Sequence, residues 1–282
     1  MDIVRLHWII VVTAALVLSP SSSASAAPAA IPESSLMDGR LVVRVLAGGA
    51  GPFRLRLDTG ASRTVISDRL AAAIGAPRVG TTLVVTHAGR VRQPLAFVGG
   101  LQAGCFAPAD VVAAVVPLRE IDATGRVDGL LGQDVLAVSV YTLDYDLGRV
   151  VCHAPGDVVE GRRLPLSIES GRPLVSVPAG GGLLSLVADS GADRLVLLGD
   201  GALPDLDLTP LDTVAVRSVA GLRLARRVLV RGFGPDGADR EGLLLASDSA
   251  GRWMGDGLLP LHPFGRVTLD GPGGWLIVGT SR

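Results

Sequence analysis

A repeat constrains this chain more than any other feature. The segment Leu55-Arg56-Leu57-Asp58-Thr59-Gly60-Ala61 is followed by Val65-Ile66, and Leu186-Val187-Ala188-Asp189-Ser190-Gly191-Ala192 is followed by Leu195-Val196-Leu197-Leu198. The second aspartate stands 131 residues after the first (189 − 58 = 131). Further landmarks recur in the same order. Arg40-Leu41-Val42-Val43-Arg44-Val45 precedes the first copy and Arg172-Pro173-Leu174-Val175-Ser176-Val177 the second, with glycine-rich turns at 48–51 and 180–182. Val127-Asp128-Gly129-Leu130-Leu131-Gly132 is echoed by Gly255-Asp256-Gly257-Leu258-Leu259-Pro260, and Thr142-Leu143-Asp144 by Thr268-Leu269-Asp270. Matched landmarks in matched order indicate a tandem duplication. The lobes run over 38–155 and 163–282, with a polar joint at 156–162.

Residues 53–57 alternate apolar and polar side chains, the period of a half-buried strand, and deliver Asp58 at a glycine-containing turn. Each lobe carries one more hairpin signal. Strands over 81–86 and 91–97 flank His87-Ala88-Gly89-Arg90; strands over 212–219 and 222–230 flank Ala220-Gly221. Helix is scarce, with short pieces expected over 68–74, 119–123 and 253–255. Glycine and proline, 37 and 18 of 282 residues, fit many turns between short strands. The expected fold class is mostly β, and 48% hydrophobic residues suffice for a packed core.

Several function classes are disfavoured. Aromatics are 4% and the net charge is −1, which offers neither a stacking platform nor a basic footprint for nucleic acid. His7, His87, His153 and His262 are scattered without metal-ligand spacing, so no metal is expected. A Gly-x-Ser-x-Gly elbow is absent. Asp128 and Asp256 read as structural turn residues. Ser62 and Asp193 are candidates to contact the aspartate loops or a substrate.

Residues 1–26 combine Arg5, an apolar run over 8–18 and an ending Ala24-Ser25-Ala26. That is the layout of a cleavable secretory signal, and the run is short for a bilayer span. A secreted or periplasmic protein follows, with 27–37 as a flexible mature N-terminus and no membrane span after signal removal. An uncleaved anchor is the alternative. Export would let the only two cysteines, Cys105 and Cys152, form a disulfide; two buried thiols are the other option.

Two loops of the same form, one per lobe, have a chemical use. A two-fold axis between the lobes would bring Asp58 and Asp189 together, and two adjacent carboxylates hold one shared proton. The charged member can then take a proton from water while the protonated member polarises a carbonyl. Gly60 and Gly191 let the backbone turn sharply, and the Thr59 and Ser190 hydroxyls can bond across the axis.

With these motifs the chain resembles retropepsin-like and pepsin-like aspartic proteases over residues 38–282. The loops 58–61 and 189–192 look like that superfamily's signature, and 189–193 looks like its retroviral form. Residues 128–132 look like the family's segment threading beside the active-site loop. The resemblance implies a bilobal acid-protease β-barrel fold with a central cleft. It implies Asp58 and Asp189 as catalytic pair, supported by Thr59, Gly60, Ala61, Ser190, Gly191 and Ala192, with water as nucleophile and no cofactor. The substrate would be a peptide or protein, cleaved by an aspartic endopeptidase. Tyr141 and Tyr145, the only tyrosines, are on neither hairpin, which favours a fused retropepsin-like arrangement with small flaps at His87, Ala88, Gly89 and Arg90 and at Ala220 and Gly221. A chain with both halves of the site can act as a monomer. Pro260, standing where the first lobe has Gly132, together with the missing flap tyrosine points to a second option: a catalytically weak or inactive peptide- or partner-binding module of the same fold.

Overall fold

In the computed structural model, residues 34–279 are described apart from 87–88, 181, 200–202, 204–205, 219–220, 235–236 and 247–254. The first repeat opens with β1 (Ser34–Met37), β2 (Arg40–Ala47), β3 (Ala50–Leu57), β4 (Val65–Ser67) and the helix α1 (Asp68–Ala73). Then come the hairpin β5 (Arg78–Thr86) and β6 (Gly89–Ala103), β7 (Ala109–Val116), α2 (Leu118–Ile121), β8 (Gly129–Leu131), α3 (Gln133–Leu136), β9 (Val140–Asp144) and β10 (Arg149–His153). The second repeat has β11 (Arg162–Glu169), β12 (Arg172–Ala179), β13 (Gly182–Asp189), β14 (Leu195–Gly199), β15 (Leu208–Ser218), β16 (Gly221–Phe233) and β17 (Ala238–Ala246). It ends with β18 (Gly257–Pro260), a 3-10 turn (His262–Phe264), β19 (Arg266–Asp270) and β20 (Trp275–Val278).

The duplication is written in the strand order. The first sheet runs β1-β2-β3-β8-β4-β7-β6-β5; the second contains β11-β12-β13-β18-β14-β17-β16-β15, the same order with every label raised by ten. Pairing senses repeat as well: β3 with β8 and β13 with β18 are parallel, as are β4 with β7 and β14 with β17. Alternation explains the inner faces. In β3, Leu55 and Leu57 are buried while Arg54 and Arg56 are not. Burying a leucine side chain of this kind contributes about 1.5–3 kcal/mol.

The repeats meet in one sheet. β9 pairs not with the first sheet but with β19, and β10 pairs with β9, giving the order β10-β9-β19-β20. Thr142 on β9 faces Thr268 on β19, its own repeat equivalent, and their hydroxyls are 2.6 Å apart. A pair of equivalent residues facing each other marks the pseudo-two-fold axis. Strand pairing therefore crosses the lobe division drawn at 155. Residues 34–37 also differ from the flexible N-terminus expected there, because β1 pairs with β2 from Ser34 opposite Val43 to Met37 opposite Arg40. Main-chain groups at the β2 edge thereby gain partners.

The helix expected over 68–74 is α1, capped by the Ser67 hydroxyl accepting from Leu70 N–H. That at 119–123 is α2, shifted to Leu118–Ile121. The piece at 253–255 falls largely outside the described residues, as do the leader, flap residues His87 and Ala88, and Ala220. Cys105, in the turn after β6, is bonded to Cys152 on β10. Among the described residues no helix is long and apolar enough to cross a membrane.

Candidate active site

Asp58 and Asp189 sit at the ends of β3 and β13, the central strands of the two repeats, and face one another across the axis. Only glycine fits opposite each carboxylate. A Cβ on Gly60 would stand 2.5 Å from Asp189 Cγ, and one on Gly191 would stand 3.0 Å from Asp58 Cγ. The position of that missing Gly191 Cβ is 3.1 Å from Asp58 Oδ1 and 3.1 Å from Asp189 Oδ1, so both carboxylates border one small space.

The threonine and serine of the two loops interlock. Thr59 Oγ1 donates to the Ala188 carbonyl at 2.6 Å and accepts from Ser190 N–H at 2.9 Å. Ser190 Oγ donates to the Leu57 carbonyl at 2.9 Å and accepts from Thr59 N–H at 3.0 Å. Both side chains are buried, so each hydroxyl satisfies main-chain groups that would otherwise be costly to bury.

Main-chain amides aim at the carboxylates. Ala61 N–H donates to Asp58 Oδ1 at 3.0 Å, and the Gly191 and Ala192 amides donate to Asp189 Oδ1 at 2.7 and 3.1 Å. These bonds favour the charged forms, but burial outweighs them. Burial raises Asp58 above the usual carboxylate range. Burial, followed by the charge of Asp58, pushes Asp189 up to about 7. Each carboxyl therefore holds its proton more tightly than a solvated one.

Two arginines that the sequence reading did not single out brace the loops. Arg40 Nε donates to the Gly191 carbonyl at 2.8 Å, and Arg172 Nε donates to the Gly60 carbonyl at 2.9 Å. Each belongs to one repeat and holds the loop of the other. The signal was present, since both arginines open matched strands; what they touch is not readable from spacing. Asp193 lies 3.9 Å from Arg40 and is largely exposed. Ser62 packs beside Gly171, whose Cβ would come within 3.2 Å of Ser62 Cβ.

Asp128 and Asp256 do structural work. Asp128 Oδ2 accepts from Arg54 N–H at 3.0 Å, and Asp256 Oδ2 accepts from Ser185 N–H at 2.8 Å, at equivalent positions. Tyr141, on β9, and Tyr145, in the turn after it, are buried and lie on neither hairpin, with Tyr141 edge-on to Phe106.

Pro260 is accommodated by compensation. In the first repeat Gly132 N–H donates to Thr64 Oγ1 at 3.2 Å, and Asp134 Oδ1 accepts from Thr64 N–H and Oγ1 at 2.8 and 2.7 Å. In the second repeat Pro260 has no N–H, and Leu195 stands in place of Thr64. The amide donor and the hydroxyl acceptor that pair in the first repeat are lost together. β18 still pairs in parallel with β13, Pro260 opposite Asp189.

A cleft of about 920 Å³ lies over the pair. Its lining includes Thr82–Val85 from β5 and Val214–Val216 from β15, the equivalent hairpin strands of the two repeats. Gly89, Arg90 and Gly221 begin the return strands. Among the described residues no group of three or more His, Cys, Asp or Glu side chains is placed to hold a metal ion.

Residues 43–135, from β2 to α3 and including Asp58, match the family model described as aspartyl protease. No curated protein matches the chain. Among solved structures, the crystal structure of basic 7S globulin from soybean is 10% identical, with 89% of this chain and 94% of that chain covered and a TM-score of 0.45.

Proposed function

We propose that this aspartyl protease-like chain is an exported aspartic endopeptidase in which Asp58 and Asp189 activate water. The observation that carries the reading is the shared space bordered by both carboxylates, each held by loop amides and interlocked through Thr59 and Ser190. With one proton on the pair, the ionised carboxylate accepts a proton from water as its oxygen attacks the peptide carbonyl. The protonated partner donates to the carbonyl oxygen, and the tetrahedral intermediate collapses as a proton passes to the leaving amine. Acid and amine are the products, and water is the only co-reactant.

Burial supports this chemistry by keeping the shared proton in place as pH rises through the weakly acidic range. Pro260, the residue that points to a binding module, leaves the Gly191 and Ala192 bonds to Asp189 in place. Export is part of the proposal. It draws on the leader-like residues 1–26 and on the Cys105–Cys152 bond, which suits an oxidising compartment.

The test is cleavage of an unfolded protein substrate between pH 3 and pH 7 by wild type, Asp58→Asn and Asp189→Asn. Each single variant is expected to lose a factor of about a hundred to ten thousand in rate. Wild-type cleavage that survives both substitutions would sink the reading.

A further inference from the structure

The cleft is lined by five arginines, Arg40, Arg56, Arg63, Arg172 and Arg194, against two acids outside the aspartate pair, Asp193 and Glu120. The whole chain has a net charge of −1, so this positive lining is local. Four of the arginines follow the repeat. Arg40 and Arg172 brace the loops. Arg63 donates to the Val112 carbonyl at 2.6 Å, and Arg194, its equivalent, is exposed at the rim.

Arg56 breaks the repeat. Its equivalent is Val187, which is fully buried, whereas Arg56 is half-buried in the cleft lining. Among the described residues the Arg56 guanidinium makes no hydrogen bond and no ion pair. The carboxylates whose fields reach it are Asp58, Asp122 and Asp38. All three are engaged elsewhere. Asp38 pairs with Arg126, and Asp122 accepts from the Thr124, Arg126 and Val127 amides. Asp58 faces Asp189. Burial and the neighbouring Arg40 both work against the Arg56 charge, yet a guanidinium does not give up its proton. The charge is left under-compensated, the condition in which an arriving carboxylate gains most.

Arg56 also stands where a substrate passes. It lies two residues before Asp58 on the same face of β3, about 7 Å along the strand. Successive Cα atoms of a bound peptide are about 3.8 Å apart. Resting on the peptidase reading, we propose that Arg56 determines specificity: the substrate carries a side-chain carboxylate within two residues of the bond cleaved at the aspartate pair.

The test uses peptides capped at both ends, so that only a side chain supplies the anion. Pairs differing by Glu or Gln at one position near the cleaved bond are compared at pH 5.5, where glutamate is ionised. Cleavage is read as kcat/KM and binding as fluorescence anisotropy, for wild type, Arg56→Leu and Arg56→Lys. Wild type is expected to favour Glu over Gln by about tenfold or more at one position, Arg56→Leu to abolish that ratio and Arg56→Lys to retain part of it. High salt should shrink the ratio as well. The ratio separates a recognition role from a structural one, since a misfolded variant would lose both peptides alike. Cleavage without any Glu–Gln difference in wild type, or a difference that persists in Arg56→Leu, overturns the inference and leaves the peptidase reading standing. Arg56-dependent Glu binding without cleavage supports the acidic subsite and removes the peptidase. Failure to bind or cleave any peptide sinks both.

Discussion

At the scale of single residues, the aspartate pair stores a conflict between burial and charge that should be visible in stability. Asp189 is raised from 3.8 to about 7 by burial and by Asp58. A carboxyl that binds its proton more tightly in the folded chain contributes stability that is fully present below the unfolded value of 3.8. That contribution is lost as pH rises toward about 7. Asparagine at 189 keeps an acceptor for the Gly191 and Ala192 amides and carries no charge. Asp189→Asn is therefore expected to melt higher than wild type at pH 8, by roughly 2–4 °C for each kcal/mol relieved, with the advantage gone at pH 3.5. Thermal melts at the two pH values check the sign. Thr59 gives the opposite lesson, because its hydroxyl satisfies two buried main-chain groups. Thr59→Val should cost about 2–4 kcal/mol in urea unfolding, and Thr59→Ser should recover most of it.

At the scale of elements, β8 and β18 show two ways of threading one strand. The first repeat uses polar side chains, Thr64 and Asp134, to satisfy the Gly132 amide; the second removes the amide with Pro260 and the hydroxyl with Leu195. Each solution is consistent only as a set. Leu195→Thr, which copies the residue found in the first repeat, is expected to destabilise by about 1–3 kcal/mol, because its buried hydroxyl would face a residue without an N–H. Urea midpoints for that variant and for Thr64→Val provide the comparison. The same elements show what sequence could reveal. The Asp-Thr/Ser-Gly-Ala loops, the hairpins and the strand following each loop were legible, because turn glycines and alternation are local signals. The crossed contacts of Arg40 and Arg172 were not, since they join residues 151 and 112 positions apart. Pro260 looked like a defect only because its compensation, Leu195, lies 65 residues upstream (260 − 195 = 65) in another strand. The partner of β9 was equally hidden, because Tyr141 and Leu143 read as core whichever sheet they join.

At the scale of the whole molecule, the two repeats are joined by the hydrogen bonds of a shared sheet, and one disulfide within the first repeat ties that sheet to its lobe. β9 and β10 belong to the first repeat in sequence but to the shared sheet in space. The Cys105–Cys152 bond fastens that sheet to the turn after β6, in the body of the first lobe. The bonded cysteines are 47 residues apart. Closing a loop of that length in the unfolded chain stabilises the fold by about 4 kcal/mol on the chain-entropy account. Part of that is commonly lost to native strain and residual structure, so Cys105→Ala with Cys152→Ala is expected to lower the unfolding free energy by about 2–4 kcal/mol. Reductant should reproduce the loss in wild type and leave the double variant unmoved, which separates the bond from the packing of the alanines. The shared sheet should still couple the lobes after reduction, since the β9–β19 pairing involves neither sulfur. Far-UV circular dichroism and tryptophan fluorescence should then report coincident unfolding with or without the bond. Separate transitions after reduction would mean that the disulfide, rather than the sheet, makes the two repeats fold as one.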